Sequence, residues 1–134
     1  MGFISGVDFV MVPVSDWERA QQFYGDVLEL EQSKHYGKAP GGEFETGTLT
    51  LQVLDTAGFG LGDAQPSANP IALHVDDFEG GKAKLRDRGV ELVHELDSGV
   101  CWMAFFKDPD GNTFCLHHRY APPDARPAGL EAAT

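Results

Sequence analysis

At 134 residues, 42% hydrophobic and 23% charged, the chain is long enough for one compact domain and ordinary in make-up for a globular protein. Its net charge of −11 excludes the clustered basic face that a phosphate backbone demands, so nucleic acid is not an expected partner, while a cationic small molecule is compatible. No apolar run approaches the roughly 18–20 residues of a membrane span, and residues 1–6 lack the basic start and long apolar stretch of a signal peptide, so a cytoplasmic location and no membrane partner are expected.

The first strand is predicted over 6–14. It leads into Ser15-Asp16-Trp17-Glu18, where Ser15 and Glu18 have the spacing of a capping box. A helix follows, with Trp17, Ala20, Tyr24, Val27 and Leu28 on one face. Strands are then expected over 32–38, 42–46 and 47–55, and a Gly-, Ala- and Pro-rich linker over 58–69.

The same grammar returns. Leu73-His74-Val75-Asp76-Asp77-Phe78-Glu79 repeats Val12-Pro13-Val14-Ser15-Asp16-Trp17-Glu18 at an offset of 61, with Asp76 and Glu79 as the second capping pair. The second half is read as a strand over 70–76, a helix from Asp77 to Arg88 stopped by Gly89, and strands over 91–97, 100–107 and 113–120. The segment "GTLTLQVLD" resembles "NTFCLHHRY" at an offset of 65. A flexible tail is expected over 121–134. Strand, helix and three strands, done twice, give an α+β chain with module 1 at 6–57 and module 2 at 70–120.

Reactive side chains crowd "KDPDGNTFCLHHRY", residues 107–120. Asp108-Pro109-Asp110-Gly111-Asn112 reads as a turn, since proline presets φ, glycine accepts positive φ, and the acidic and amide side chains bond local N–H groups. A calcium loop starting at Asp108 requires glycine sixth and glutamate twelfth, where Thr113 and Arg119 stand. If the chain reverses there, Cys101 and Cys115 are three to five residues out of register and some 10 Å or more apart, too far for a disulfide. Cys115 and His117 share a strand face, but their side chains start about 7 Å apart, beyond the bond that activates a thiolate. His118 points the other way, toward a structural hydrogen bond. His35 and His94 read as surface residues, and Gly60-Leu61-Gly62 lacks the rest of any phosphate fingerprint.

"VPVSDWERAQQFYGDVLEL" and "FFKDPDGNTFCL" resemble the first-module and last-hairpin signatures of the vicinal oxygen chelate superfamily, which groups glyoxalase I, bleomycin-resistance proteins and extradiol dioxygenases. The resemblance spans residues 6–120 and implies two tandem βαβββ modules forming a cupped mixed sheet, commonly in a homodimer. It also implies four metal-ligand positions, one on the first and one on the last strand of each module. Here these hold Phe9, Thr50, Pro70 and Cys115, none a customary ligand apart from a cysteine for soft metals. A displaced site would draw on His74, His117 and Gln52. Same-face parity gives the expected ligand-binding surface: Phe9, Met11, Thr50, Gln52, Ala72, His74, Thr113, Cys115 and His117. Trp102 and Phe106, or else Met103 and Phe105, join them, as does Phe44 or its neighbours Glu43 and Glu45.

The expectation is metal-independent binding or sequestration of a small aromatic or cationic molecule, with no cofactor. The alternative is an enzyme: a glyoxalase-type lyase or isomerase, or a dioxygenase, with displaced ligands, or a metal-free catalyst using His74, His117 or Cys115.

Overall fold

A computed structural model describes residues 2–127, so the end of the expected flexible tail lies outside the described residues. The element order is β1 (Phe9–Val14), α1 (Trp17–Gln22), β2 (Glu31–His35), β3 (Gly41–Glu45), β4 (Thr50–Asp55), β5 (Ile71–His74), α2 (Phe78–Asp87), β6 (His94–Asp97), β7 (Cys101–Lys107) and β8 (Thr113–Arg119). These are the two βαβββ modules expected. Each makes a four-stranded mixed sheet, ordered β1-β4-β3-β2 in one and β5-β8-β7-β6 in the other. The first strand of each module runs parallel to its last, and every other pair is antiparallel. A helix joining the first two strands is what frees them from pairing as a hairpin.

By compactness the chain divides into two units. Unit 1 is Met1–Ala68 with Asp108–Asn112, and unit 2 is Asn69–Lys107 with Thr113–Thr134.

In unit 1, period-two alternation drives one face of β1 inward: Val12 and Val14 are buried while Phe9 and Met11 are exposed. Val12 and Val14 join Leu51 and Val53 of β4 and Phe44 of β3 in the core. The helix covers that core with Ala20 and Tyr24. Beyond Gln22 it widens into a π-type turn, Phe23–Val27, closed by the Leu28 amide donating to the Phe23 carbonyl. Phe23 and Tyr24, at i+3 and i+4 from Ala20, are both buried, their rings 5.2 Å apart and nearly perpendicular. Gly42 is required by close approach: an added Cβ would strike the Lys34 carbonyl oxygen and lie 3.0 Å from the Trp17 ring.

In unit 2, α2 lays Phe78 and Leu85 on the face of the sheet formed by Phe106, Ala104, Phe114 and Leu116. It ends as expected at Gly89, whose φ of +82° lets the Gly89 and Val90 amides reach the carbonyls of Arg86 and Leu85. Both caps fall one residue later than the capping-box reading placed them. Asp16 accepts from the Arg19 amide at 3.1 Å and Asp77 from the Gly80 amide at 2.9 Å. Ser15 instead gives its hydroxyl to Asp110.

Candidate functional site

One face of each sheet carries the module's helix, and the opposite face is where parity placed the candidate residues. In unit 1, ladder pairing sets Phe9, Thr50 and Glu45 in one row and Met11, Gln52 and Glu43 in the next. Phe9 is 50% and Met11 45% exposed, a large apolar presence on an open sheet. The alternatives left by the sequence resolve here: Phe44 is in the core, and Glu43 and Glu45 share the face of Thr50 and Gln52.

The two carboxylates are held by hydroxyls. Ser33 and Thr50 donate to separate oxygens of Glu45 at 2.5 and 2.6 Å, and these bonds hold its carboxyl below the ordinary range. Tyr36 donates to Glu43 and accepts from the Gln52 amide at 3.1 Å. Burial, then the bond to Glu43, pushes the Tyr36 phenol up, so it remains a donor. Tyr36 also meets Phe59 edge-on. Glu45 and Thr50 line a cavity of about 350 Å³ with Val7, Asp8 and the Gly47–Leu49 turn. Tyr36 and Ser33 escaped the sequence reading. A β-bulge between Gln32 and Lys34 shifts the register and brings Ser33 to Glu45.

In unit 2, His74 pairs with His117 and His117 with Met103, in one row across three strands; Ala72, Cys115 and Phe105 form the next. Met103 and Phe105 therefore share the face of His117. Trp102 and Phe106, named first from the sequence, lie on the helix side, which corrects that expectation. Phe106 is in the core, and Trp102 stacks on Tyr120 at 4.7 Å with Phe78 at 5.8 Å. All four of these β7 positions are apolar, so alternation alone leaves the two sets interchangeable. Trp102 instead lines a separate cavity of about 210 Å³ with Phe78, Lys82, Glu95 and Leu96.

Cys115 has the predicted facing but is only 2% exposed, and burial pushes its thiol up. That is the inert state of a core cysteine. Cys101 pairs with Arg119 and Phe105 with Cys115, so the two cysteines stand four ladder positions apart, both free. Burial, followed by the charges of His74, His118 and Arg119, pushes His117 down and leaves its imidazole neutral at neutral pH. His118 bonds the Val75 carbonyl at 2.9 Å, the structural role expected of it.

The sequence from residue 6 to 116 matches the family described as the Glyoxalase/Bleomycin resistance protein/Dioxygenase superfamily. The chain belongs to that superfamily. No curated protein matches the sequence. Among solved structures, the chain is similar to TnmS3, an antibiotic binding protein from Streptomyces sp. CB03234, at 26% identity over 89% of this chain and 99% of that one, with a TM-score of 0.69. A superfamily member from Sphaerobacter thermophilus DSM 20745 is 24% identical over 85% and 97%, TM-score 0.73, and lactoylglutathione lyase from Agrobacterium tumefaciens is 17% identical over 85% and 93%, TM-score 0.68. These last two likenesses speak to fold.

The superfamily's metal-dependent chemistry needs a chelating donor set, and the residues at the implied positions do not fit one. Phe9 and Thr50 are ladder partners that offer a phenyl ring and a hydroxyl. Pro70 precedes β5, and Cys115 pairs with Ala72 instead, so the two implied pairs differ in register, and a pyrrolidine with a lone thiol is chemically unsuited as well. The offset between β4 and β8 set by the ladders is 63, since Val14 pairs with Asp55 and the Val75 amide bonds the His117 carbonyl just before His118. Of the displaced candidates, His74 bonds Asp76 at 2.9 Å and Gln52 bonds Tyr36. Among the described residues, no three or more His, Cys, Asp or Glu side chains are grouped to hold a metal ion.

Proposed function

We propose that the protein binds and sequesters a small, planar, cationic molecule without a metal ion, on the open face of the unit 1 sheet. The carrying observation is the juxtaposition, in two adjacent ladder rows, of exposed Phe9 and Met11 with the hydroxyl-bonded carboxylates of Glu45 and Glu43. Phe9 and Met11 supply an apolar, polarizable floor for a ring system, and a ring-borne cation gains from the carboxylates and the aromatic face. Thr50 and Gln52 complete the polar contacts. The 26% identity to an antibiotic binding protein over nearly both chains supports binding over turnover. In unit 2 the corresponding contact residues are His74 and His117, with Met103 and Phe105 in place of Trp102 and Phe106.

A glutathione conjugate carries two carboxylates against one ammonium, and a face bearing Glu43 and Glu45 disfavours that net negative charge. That weighs against a glyoxalase-type reaction. The superfamily's habit of pairing makes a cytoplasmic homodimer part of the proposal. No helix among the described residues is long and apolar enough to cross a membrane.

Elemental analysis of purified protein tests the metal half: less than about a tenth of an equivalent of zinc, nickel, iron or manganese is expected after mild chelation, with the melting temperature unchanged. A stoichiometric transition metal whose removal lowers the melting temperature defeats the proposal.

A further inference from the structure

The Asp108–Asn112 turn is absent from the binding face, yet its polar side chains are among the most buried in the chain. Asp108 is 5% and Asn112 2% exposed. Part of this is self-shaping: one oxygen of Asp108 accepts from the Asp110 and Asn112 amides, and the other from the Asn112 side-chain amide. The rest is directed at other parts of unit 1. The Tyr24 hydroxyl donates to the second Asp108 oxygen at 2.5 Å, across 84 positions of sequence. The Asn112 side-chain amide also donates to the Pro13 carbonyl at 2.8 Å, and its oxygen accepts from the Ser67 amide at 2.8 Å. One Asp110 oxygen takes the amide and hydroxyl of Ser15, with Arg19 at 3.4 Å.

The end of β1, the first turn of α1, the π-type turn and the linker thus each give a donor or an acceptor to these five residues. Three are consequential. Pro13 lies on the edge strand of its sheet, Ser15 falls between the end of β1 and the start of α1, and Tyr24 is wholly buried, so its hydroxyl has no water to turn to. Without the turn, a buried phenol, a strand-end carbonyl and a helix-entry amide lose partners together, each costing more than an ordinary hydrogen bond contributes.

We propose that Asp108–Asn112 is the closing plug of unit 1: β1, α1 and the π-type turn hold their native packing only while this distant turn is seated. The acidic turn acts as a set of acceptors for protein donors, and Tyr24 and Asp108 are coupled positioning residues.

Amide hydrogen exchange on the full chain tests this with Tyr24→Phe, Asp108→Asn and the double variant. Tyr24→Phe removes one hydroxyl and keeps the ring, and Asp108→Asn keeps the shape but turns one of two accepting oxygens into an NH2 donor that faces donors. Each single change is expected to speed exchange of the Val12 and Ala20 amides about ten-fold, with Leu73 in β5 and Leu85 in α2 within about two-fold of the parent. The double variant is expected to be no faster than the faster single one, since Asp108→Asn already breaks the one bond that Tyr24→Phe removes. Additive effects in the double variant, equal acceleration in both units, or unchanged Val12 and Ala20 exchange would each overturn the plug.

Discussion

Tyr24 shows what a single buried polar atom commits the chain to. Burial, with the Asp108 charge and hydrogen bond behind it, pushes the phenol far above its ordinary value of about 10. The unfolded chain releases that proton near pH 10 and the folded chain does not, so the stability tied to it is intact below about pH 10 and is lost as pH rises further. Denaturant unfolding is expected to show stability falling by up to about 1.4 kcal/mol per pH unit more steeply above pH 10 in the parent than in Tyr24→Phe. Matching slopes would mean that the phenol ionises in place. Tyr24 was legible in the sequence as a core residue of the first helix, but its partner was not. Asp108 lies 84 residues away in what reads as a self-contained turn, and nothing local in Asp-Pro-Asp-Gly-Asn says that its carboxylate has a second customer. Cys115 and His117 are the opposite case: their spacing already argued against a nucleophile and its base, and a buried, raised thiol agrees.

At the scale of elements, the eight strands, two helices and the Gly89 stop were readable because alternation, capping residues and turn chemistry agreed with one another. What slipped were one-residue decisions. Ser15 and Asp16, like Asp76 and Asp77, are both good caps, and the choice rests on where the sheet ends, which is tertiary information. Asp77→Ala is expected to cost about 1 kcal/mol in chemical denaturation, and Asp76→Ala less than about 0.5. A larger loss at Asp76 would restore the earlier cap. The facing of β7 slipped for the same kind of reason: with Trp102, Met103, Phe105 and Phe106 all apolar, only the ladder to β8 decides which pair meets α2.

For the whole molecule, the charge of −11 reads from composition as a bar to nucleic acid and an opening to a cation, and the structure gives part of it a place. Glu43 and Glu45 lie beside exposed Phe9 and Met11 on a sheet whose relatives include an antibiotic binding protein. The positions implied on β4 and β8, Thr50 and Cys115, lie 65 residues apart, whereas the ladders set an offset of 63, a two-residue ambiguity that matching strands by residue pattern leaves and only pairing exposes. The proposed face can be interrogated directly by titration calorimetry with 9-aminoacridine, a planar cation, and anthracene-9-carboxylate, its anionic counterpart in shape, in excess chelator. Saturable one-to-one binding of the cation is predicted, with none of the anion, and about ten-fold or greater weakening in Glu45→Gln. Preference for the anion, indifference to Glu45→Gln, or binding that appears only when a divalent metal is restored would contradict the account.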